Sequence, residues 1–99
     1  MKTDILLVED SLALAQVYQE YLHNEPWIIQ HADNGSSALE TIYQIHPKVI
    51  ILDLMLPDMN GMDILRAIHH DKLNISVIVA TGTGTISEAK AARISSASW

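Results

Sequence analysis

Three carboxylates and one hydroxyl in this chain are spaced so that they could work together. Asp53 ends the apolar run Val49-Ile50-Ile51-Leu52, Glu9 and Asp10 end the run Ile5-Leu6-Leu7-Val8, and Thr81 follows Ile75-Ser76-Val77-Ile78-Val79-Ala80. A continuous apolar run reads as a strand buried on both faces. The carboxyl ends of such strands are where open α/β sheets place their ligands. If the first and third strands are neighbours, Glu9, Asp10 and Asp53 converge. Like charges that close repel and raise one another's pKa unless a cation neutralises them. An oxygen-only ligand set selects a hard ion, and Mg²⁺ takes one or two carboxylates while keeping several waters. Carboxylate, metal and hydroxyl together can handle a phosphoryl group, with Asp53 as the nucleophile that forms an acyl phosphate. Taken singly, each feature has a plainer explanation. An acidic pair after a strand is commonly a helix cap, and a Thr there is commonly a turn residue. The coincidence of the strand ends is what carries the site.

The elements that must position these groups alternate. A strand over residues 4–8 leads to Ser11, a candidate N-cap for a helix with Leu14, Val17, Tyr18, Tyr21 and Leu22 at helical spacing. Asn24-Glu25-Pro26 ends that helix. Residues 27–32 form a less apolar strand, as expected nearer a sheet edge. Asp33-Asn34-Gly35 is a turn and cap, and Ala38, Leu39, Ile42, Tyr43 and Ile45 mark a second helix closed by Pro47. The third strand ends at Asp53. After Leu54-Met55-Leu56-Pro57-Asp58-Met59-Asn60-Gly61, rich in turn formers, a third helix carries Ile64, Leu65 and Ile68 inward. A fourth strand spans 75–80, and Thr85 or Ser87 could cap a fourth helix. Four βα alternations with short loops predict a parallel sheet layered between helices.

Composition narrows the function. Ninety-nine residues at 48% hydrophobic content suit one folded domain with a modest core. There is no cysteine, so neither disulfides nor thiolate metal sites arise. The net charge of −6 argues against direct nucleic-acid binding by this domain and suits a divalent cation. No stretch has the length of a membrane span or the form of a signal peptide, so the expected location is the cytoplasm, with no membrane contact. Thr81-Gly82-Thr83-Gly84-Thr85 lacks the Gly-Lys-Ser/Thr of a nucleotide loop. The five histidines are scattered.

Ile5-Leu6-Leu7-Val8-Glu9-Asp10, Asp53-Leu54-Met55-Leu56-Pro57-Asp58-Met59-Asn60-Gly61-Met62-Asp63 and Val77-Ile78-Val79-Ala80-Thr81-Gly82 resemble the receiver domain of bacterial two-component response regulators, over the chain to about Ala89. The flavour is nearest receivers of sigma-54-dependent activators, including quorum-sensing regulators. The resemblance implies a flavodoxin-like parallel sheet in the order 2-1-3-4 with helices on both faces. It implies that Asp53 accepts a phosphoryl group from a histidine kinase or a histidine phosphotransfer protein. It further implies that Asp10 binds Mg²⁺ directly with the Asp53 side chain and the Met55 carbonyl, that Glu9 acts largely through water, and that Thr81 hydrogen-bonds the phosphoryl oxygen and shifts when it arrives.

The pattern also breaks. The chain stops before the family's fifth strand and fifth helix, so residues 1–99 read as a C-terminally incomplete receiver. The fifth-strand lysine and switch aromatic have no counterpart: Lys90 falls in the helical segment before that strand, and Trp99 is out of position. A degenerate receiver acting only as a binding or dimerisation module is therefore an alternative. An aspartate-nucleophile phosphatase is weaker, because the second Asp of such enzymes would fall at Met55. Without a fifth strand, strand four would be an uncharged, proline-free edge, and part of the sheet beside the first helix would be an uncovered apolar patch. The expectation is a homodimer, through strand four or the 90–99 tail.

Overall fold

A computed structural model describes residues 3–80 and, as backbone, 93–95. The elements are β1 (Ile5–Val8), α1 (Leu12–Leu22), β2 (Ile29–Ala32), α2 (Gly35–Ile45), β3 (Val49–Asp53), α3 (Gly61–His70), β4 (Ser76–Ala80) and β5 (Arg93–Ser95). The sheet order is β2-β1-β3-β4-β5, with the first four strands parallel. The expected 2-1-3-4 order is thus observed.

Period-two alternation sends each central strand's side chains into two cores, which is why the runs are apolar throughout. Leu6, Val8, Ile50, Leu52, Val77 and Val79 pack with Ala38 and Ile42 of α2 and Ile64, Leu65 and Ile68 of α3. On the opposite face Ile5, Leu7 and Ile51 meet Ala15 and Tyr18 of α1. Three side-chain caps start the helices. Ser11 Oγ accepts from the Leu14 amide at 3.2 Å, Asn34 Oδ1 from Ser37 at 2.8 Å and Asn60 Oδ1 from Met62 at 2.9 Å. His46 ends α2 in the left-handed region at φ 52°, its amide donating to Ile42 O, and Pro47 keeps the helix from continuing.

Several details differ from the sequence reading. β2 begins at Ile29, so Trp27 and Ile28 precede it and are exposed. On α1 only Ala15 and Tyr18 are fully buried, while Val17 and Tyr21 face outward, Tyr21 at 68% exposure. Among the described residues α1 alone covers this face, and it buries only a narrow stripe. Tyr43 is also exposed, and its hydroxyl donates to Asp71. The expected fourth helix lies outside the described residues.

The largest correction concerns the far edge. β4 is not an open edge: β5 runs antiparallel to it, pairing Ser76 with Ser95, Val77 with Ile94 and Ile78 with Arg93. Unpaired strand amides and carbonyls recruit whatever backbone can reach them, and an antiparallel partner needs no crossover helix. The expected apolar gap beside α1 is present among the described residues as a cavity of 510 Å³, bordered by Tyr18, Tyr21, Leu22, Trp27, Val49 and Ile78.

Candidate functional site

The β1–β3 register pairs Val8 with Leu52. The next residues along each strand, Glu9 and Asp53, therefore leave the sheet side by side. Together with Asp10 they form one group whose ligand atoms all lie within 4.8 Å of one another. Glu9 and Asp53 are buried, at 2% and 5% exposure, while Asp10 faces solvent. The sequence expectation that these three converge is met. Thr81 lies outside the described residues.

Glu9 and Asp53 are each held by the segment that follows them. Glu9 Oε2 accepts the Ser11 amide at 3.1 Å, just ahead of α1. Glu9's backbone is fixed by β2 through both its polar groups: its amide donates to Ala32 O at 3.0 Å, and its carbonyl lies 2.7 Å from His31 Nε2. Asp53 Oδ1 accepts the Met55 amide at 3.0 Å, so the loop that follows Asp53 orients its carboxylate. An isolated antiparallel bridge from Met55 to Asn60 and a 2.8 Å bond from the Gly61 amide to Leu54 O close that loop. Met55, whose carbonyl is a candidate ligand, has an exposed side chain.

The charges are poorly compensated. Burial pushes the Glu9 carboxyl up to about 7, with the charge of Asp53 and contacts to Asp10 and Asp53 adding to the rise and the Ser11 amide opposing it. Glu9 Oε1 is buried without a hydrogen-bond partner among the described residues. A buried oxygen in that state is costly. A hard divalent cation, with its waters, would satisfy it, so these residues fit Mg²⁺.

Gly61 shows how tightly the loop is drawn. A Cβ there would sit 2.7 Å from both Asp53 O and Leu54 Cα, backbone atoms that cannot swing aside. Gly61→Ala is expected to cost about 1–3 kcal/mol and to disturb Asp53. Urea unfolding checks it, and a loss below about 0.5 kcal/mol would mean that the loop yields freely.

Two contacting residues were not legible in the sequence. In the sequence His31 is only one residue of a less apolar strand, and Asp58 only part of a loop rich in turn formers. Asp58 instead reaches α2, where its two oxygens accept the Gly35 and Ser36 amides at 2.7 and 2.9 Å. No spacing rule announces a contact between residues so far apart in sequence.

Comparison with known proteins agrees with the fold and the motifs. Residues 5–98 match the model of the response regulator receiver domain. The regulatory protein LuxO of Vibrio cholerae is 36% identical over 83 residues, which are 84% of this chain and 18% of that protein. The probable transcriptional regulatory protein TcrX of Mycobacterium tuberculosis is 33% identical over 84 residues, 85% of this chain and 36% of that protein. The chain therefore spans well under half the length of these relatives. The crystal structure of the signal receiver domain of a putative LuxO repressor protein from Vibrio parahaemolyticus superposes with a TM-score of 0.79 at 42% identity, covering 92% of this chain and 70% of that one. With a sheet order, strand-end carboxylates and a sequence match that agree over nearly its whole length, this chain belongs to the receiver-domain family of two-component response regulators.

Proposed function

We propose that this domain is a phospho-accepting switch in which Asp53 takes a phosphoryl group from a histidine kinase or histidine phosphotransfer protein. The observation that carries this reading is the buried Asp53 carboxylate, packed with Glu9 and Asp10 beside the unpartnered Glu9 Oε1. In the transfer an Asp53 oxygen forms the new P–O bond as the donor's P–N bond breaks, and the electron pair leaves with the imidazole nitrogen. Asp10, Asp53 and the Met55 carbonyl would hold Mg²⁺, with Glu9 acting through water. When bound, the ion supplies positive charge against the carboxylates and the phosphoryl oxygens. The Met55 amide holds Asp53 in one orientation before any donor arrives. Thr81 is assigned the phosphoryl hydrogen bond that reports the modification.

The direct test is to incubate the protein with Mg²⁺ and a small acyl-phosphate donor and to weigh it intact. A labile phosphate adduct is expected. No adduct would favour a receiver that acts only as a binding module, and turnover of diverse phosphate monoesters would favour a phosphatase.

None of the described helices is long and apolar enough to cross a membrane, and we place the domain in the cytoplasm. Some relatives are named DNA-binding response regulators. At a net charge of −6 this domain is assigned no direct nucleic-acid contact. We also infer a homodimer. Because β5 already occupies the β4 edge, its form is exchange of the 93–95 strand between copies rather than pairing of two bare β4 edges. Sedimentation velocity should show a concentration-dependent dimer, and a monomer at every concentration would retire the idea.

A further inference from the structure

The loop that carries Met55 is anchored at its ends by the bonds of Asp53 and Gly61. Its middle is anchored elsewhere. Asp58 Oδ1 accepts the Gly35 amide at 2.7 Å and Oδ2 accepts the Ser36 amide at 2.9 Å. These are the first two amides of α2, which have no carbonyl partner within the helix. Asn34 takes the third, from Ser37. Two adjacent donors facing a group with two acceptor oxygens form a bidentate, charge-assisted pair, and the positive end of the helix favours the charge. The two amides hold the Asp58 carboxyl below the usual carboxylate range.

A second contact seats the same loop. A Cβ on Gly35 would fall 2.3 Å from Met59 Cγ, so the Met59 side chain lies directly on the first residue of α2. Loop and helix are thus joined by two neighbouring side chains, one polar and one apolar. Met55 stands three positions before Asp58, and Asn60, its bridge partner, two positions after.

We propose that Asp58 is a positioning residue that ties the acceptor loop to the N-terminus of α2, so that cation binding at the carboxylate cluster and the placement of α2 are coupled. This rests on the reading of Glu9, Asp10 and Asp53 as a Mg²⁺ site. Because coupling is reciprocal, the metal must be felt at α2, and loosening the tie must weaken the metal.

The test is a Mg²⁺ titration followed by amide NMR in wild type, Asp58→Asn and Asp58→Ala, with thermal melts of each. In wild type the Gly35 and Ser36 amides should move with the same saturation as those of Asp10 and Met55. Asp58→Ala should weaken Mg²⁺ by about three- to tenfold and silence the response at Gly35 and Ser36. Asp58→Asn keeps the shape and one acceptor oxygen, so it should fall between, and it serves where the Ala variant folds poorly. A merely structural Asp58 would lower the melting temperature and leave Mg²⁺ affinity well below it unchanged. That result, or Gly35 and Ser36 amides that stay still while Asp10 and Met55 respond, overturns the proposal. If Mg²⁺ moves no amide at Glu9, Asp10 or Asp53 in wild type, the metal reading itself fails and takes this one with it.

Discussion

Asp53→Asn is expected to reduce the phosphate adduct to background while leaving the fold in place. The amide is nearly isosteric but lacks the anionic oxygen that must form the bond to phosphorus. Its carbonyl oxygen can still accept the Met55 amide, so the loop keeps its anchor. Removing one of the charges that lie within 4.8 Å of one another relieves repulsion. The metal-free variant should therefore melt a few degrees higher, roughly what 1 kcal/mol is worth in a domain of this size. Intact mass after treatment with Mg²⁺ and an acyl-phosphate donor checks the first part, and calorimetry the second. A hydroxylamine-sensitive adduct that persists in the variant would place the acceptor on another residue.

The second large effect follows from Glu9. Its carboxyl is pushed up to about 7, from an ordinary 4.5, first by burial and then by the neighbouring carboxyls. In the metal-free protein the folded state thus holds a proton that the unfolded chain has already released. Stability should fall as pH rises from about 4.5 to about 7 and level off above, by roughly 1–2 kcal/mol once solvent at the Asp10 side has screened the site. Metal runs the other way. A cation favours the ionised carboxylate, so protons compete with it, and apparent Mg²⁺ affinity should fall below pH 7 by up to about tenfold per pH unit. Glu9→Gln should flatten this dependence. Asp10→Asn should weaken binding more than Glu9→Gln, because Asp10 is assigned direct contact. Titration calorimetry between pH 6 and pH 8 (roughly a unit either side of the Glu9 value) measures all three. An affinity independent of pH, or equal in both variants and wild type, would remove Glu9 and Asp10 from the metal site.

What sequence could carry here was whatever depends on local pattern. The runs ending at Val8 and Asp53 are apolar on both faces because the sheet is covered on both, and that alone put Glu9, Asp10 and Asp53 on one edge. Ser11 and Asn34 were legible as caps because capping is a matter of the next three residues. Helical spacing misjudged Val17 and Tyr21, since periodicity marks the apolar side of a helix without saying how much of it the sheet can reach. Arg93–Ser95 was missed as a strand because three residues show no period and their pairing depends on a vacant neighbour. Asp58 and His31 were missed because their partners, α2's first amides and the Glu9 carbonyl, are brought near only by the finished fold.

The position of β1 has a kinetic consequence. β1 lies between β2 and β3, with Ile5 opposite Ile29 on one side and Val49 on the other. β1 is thus flanked by partners that both follow it in the sequence, and its pairing with β3 closes a loop that runs from Ile5 to Val49. Closing so large a loop is slow, and parallel sheets of high contact order fold accordingly. The carboxylates that face each other across β1 and β3 cannot meet until that closure is complete. A chain in which β1 and β3 have not yet paired does not present the assembled carboxylate cluster, so any ligand that needs Glu9, Asp10 and Asp53 together selects folded molecules.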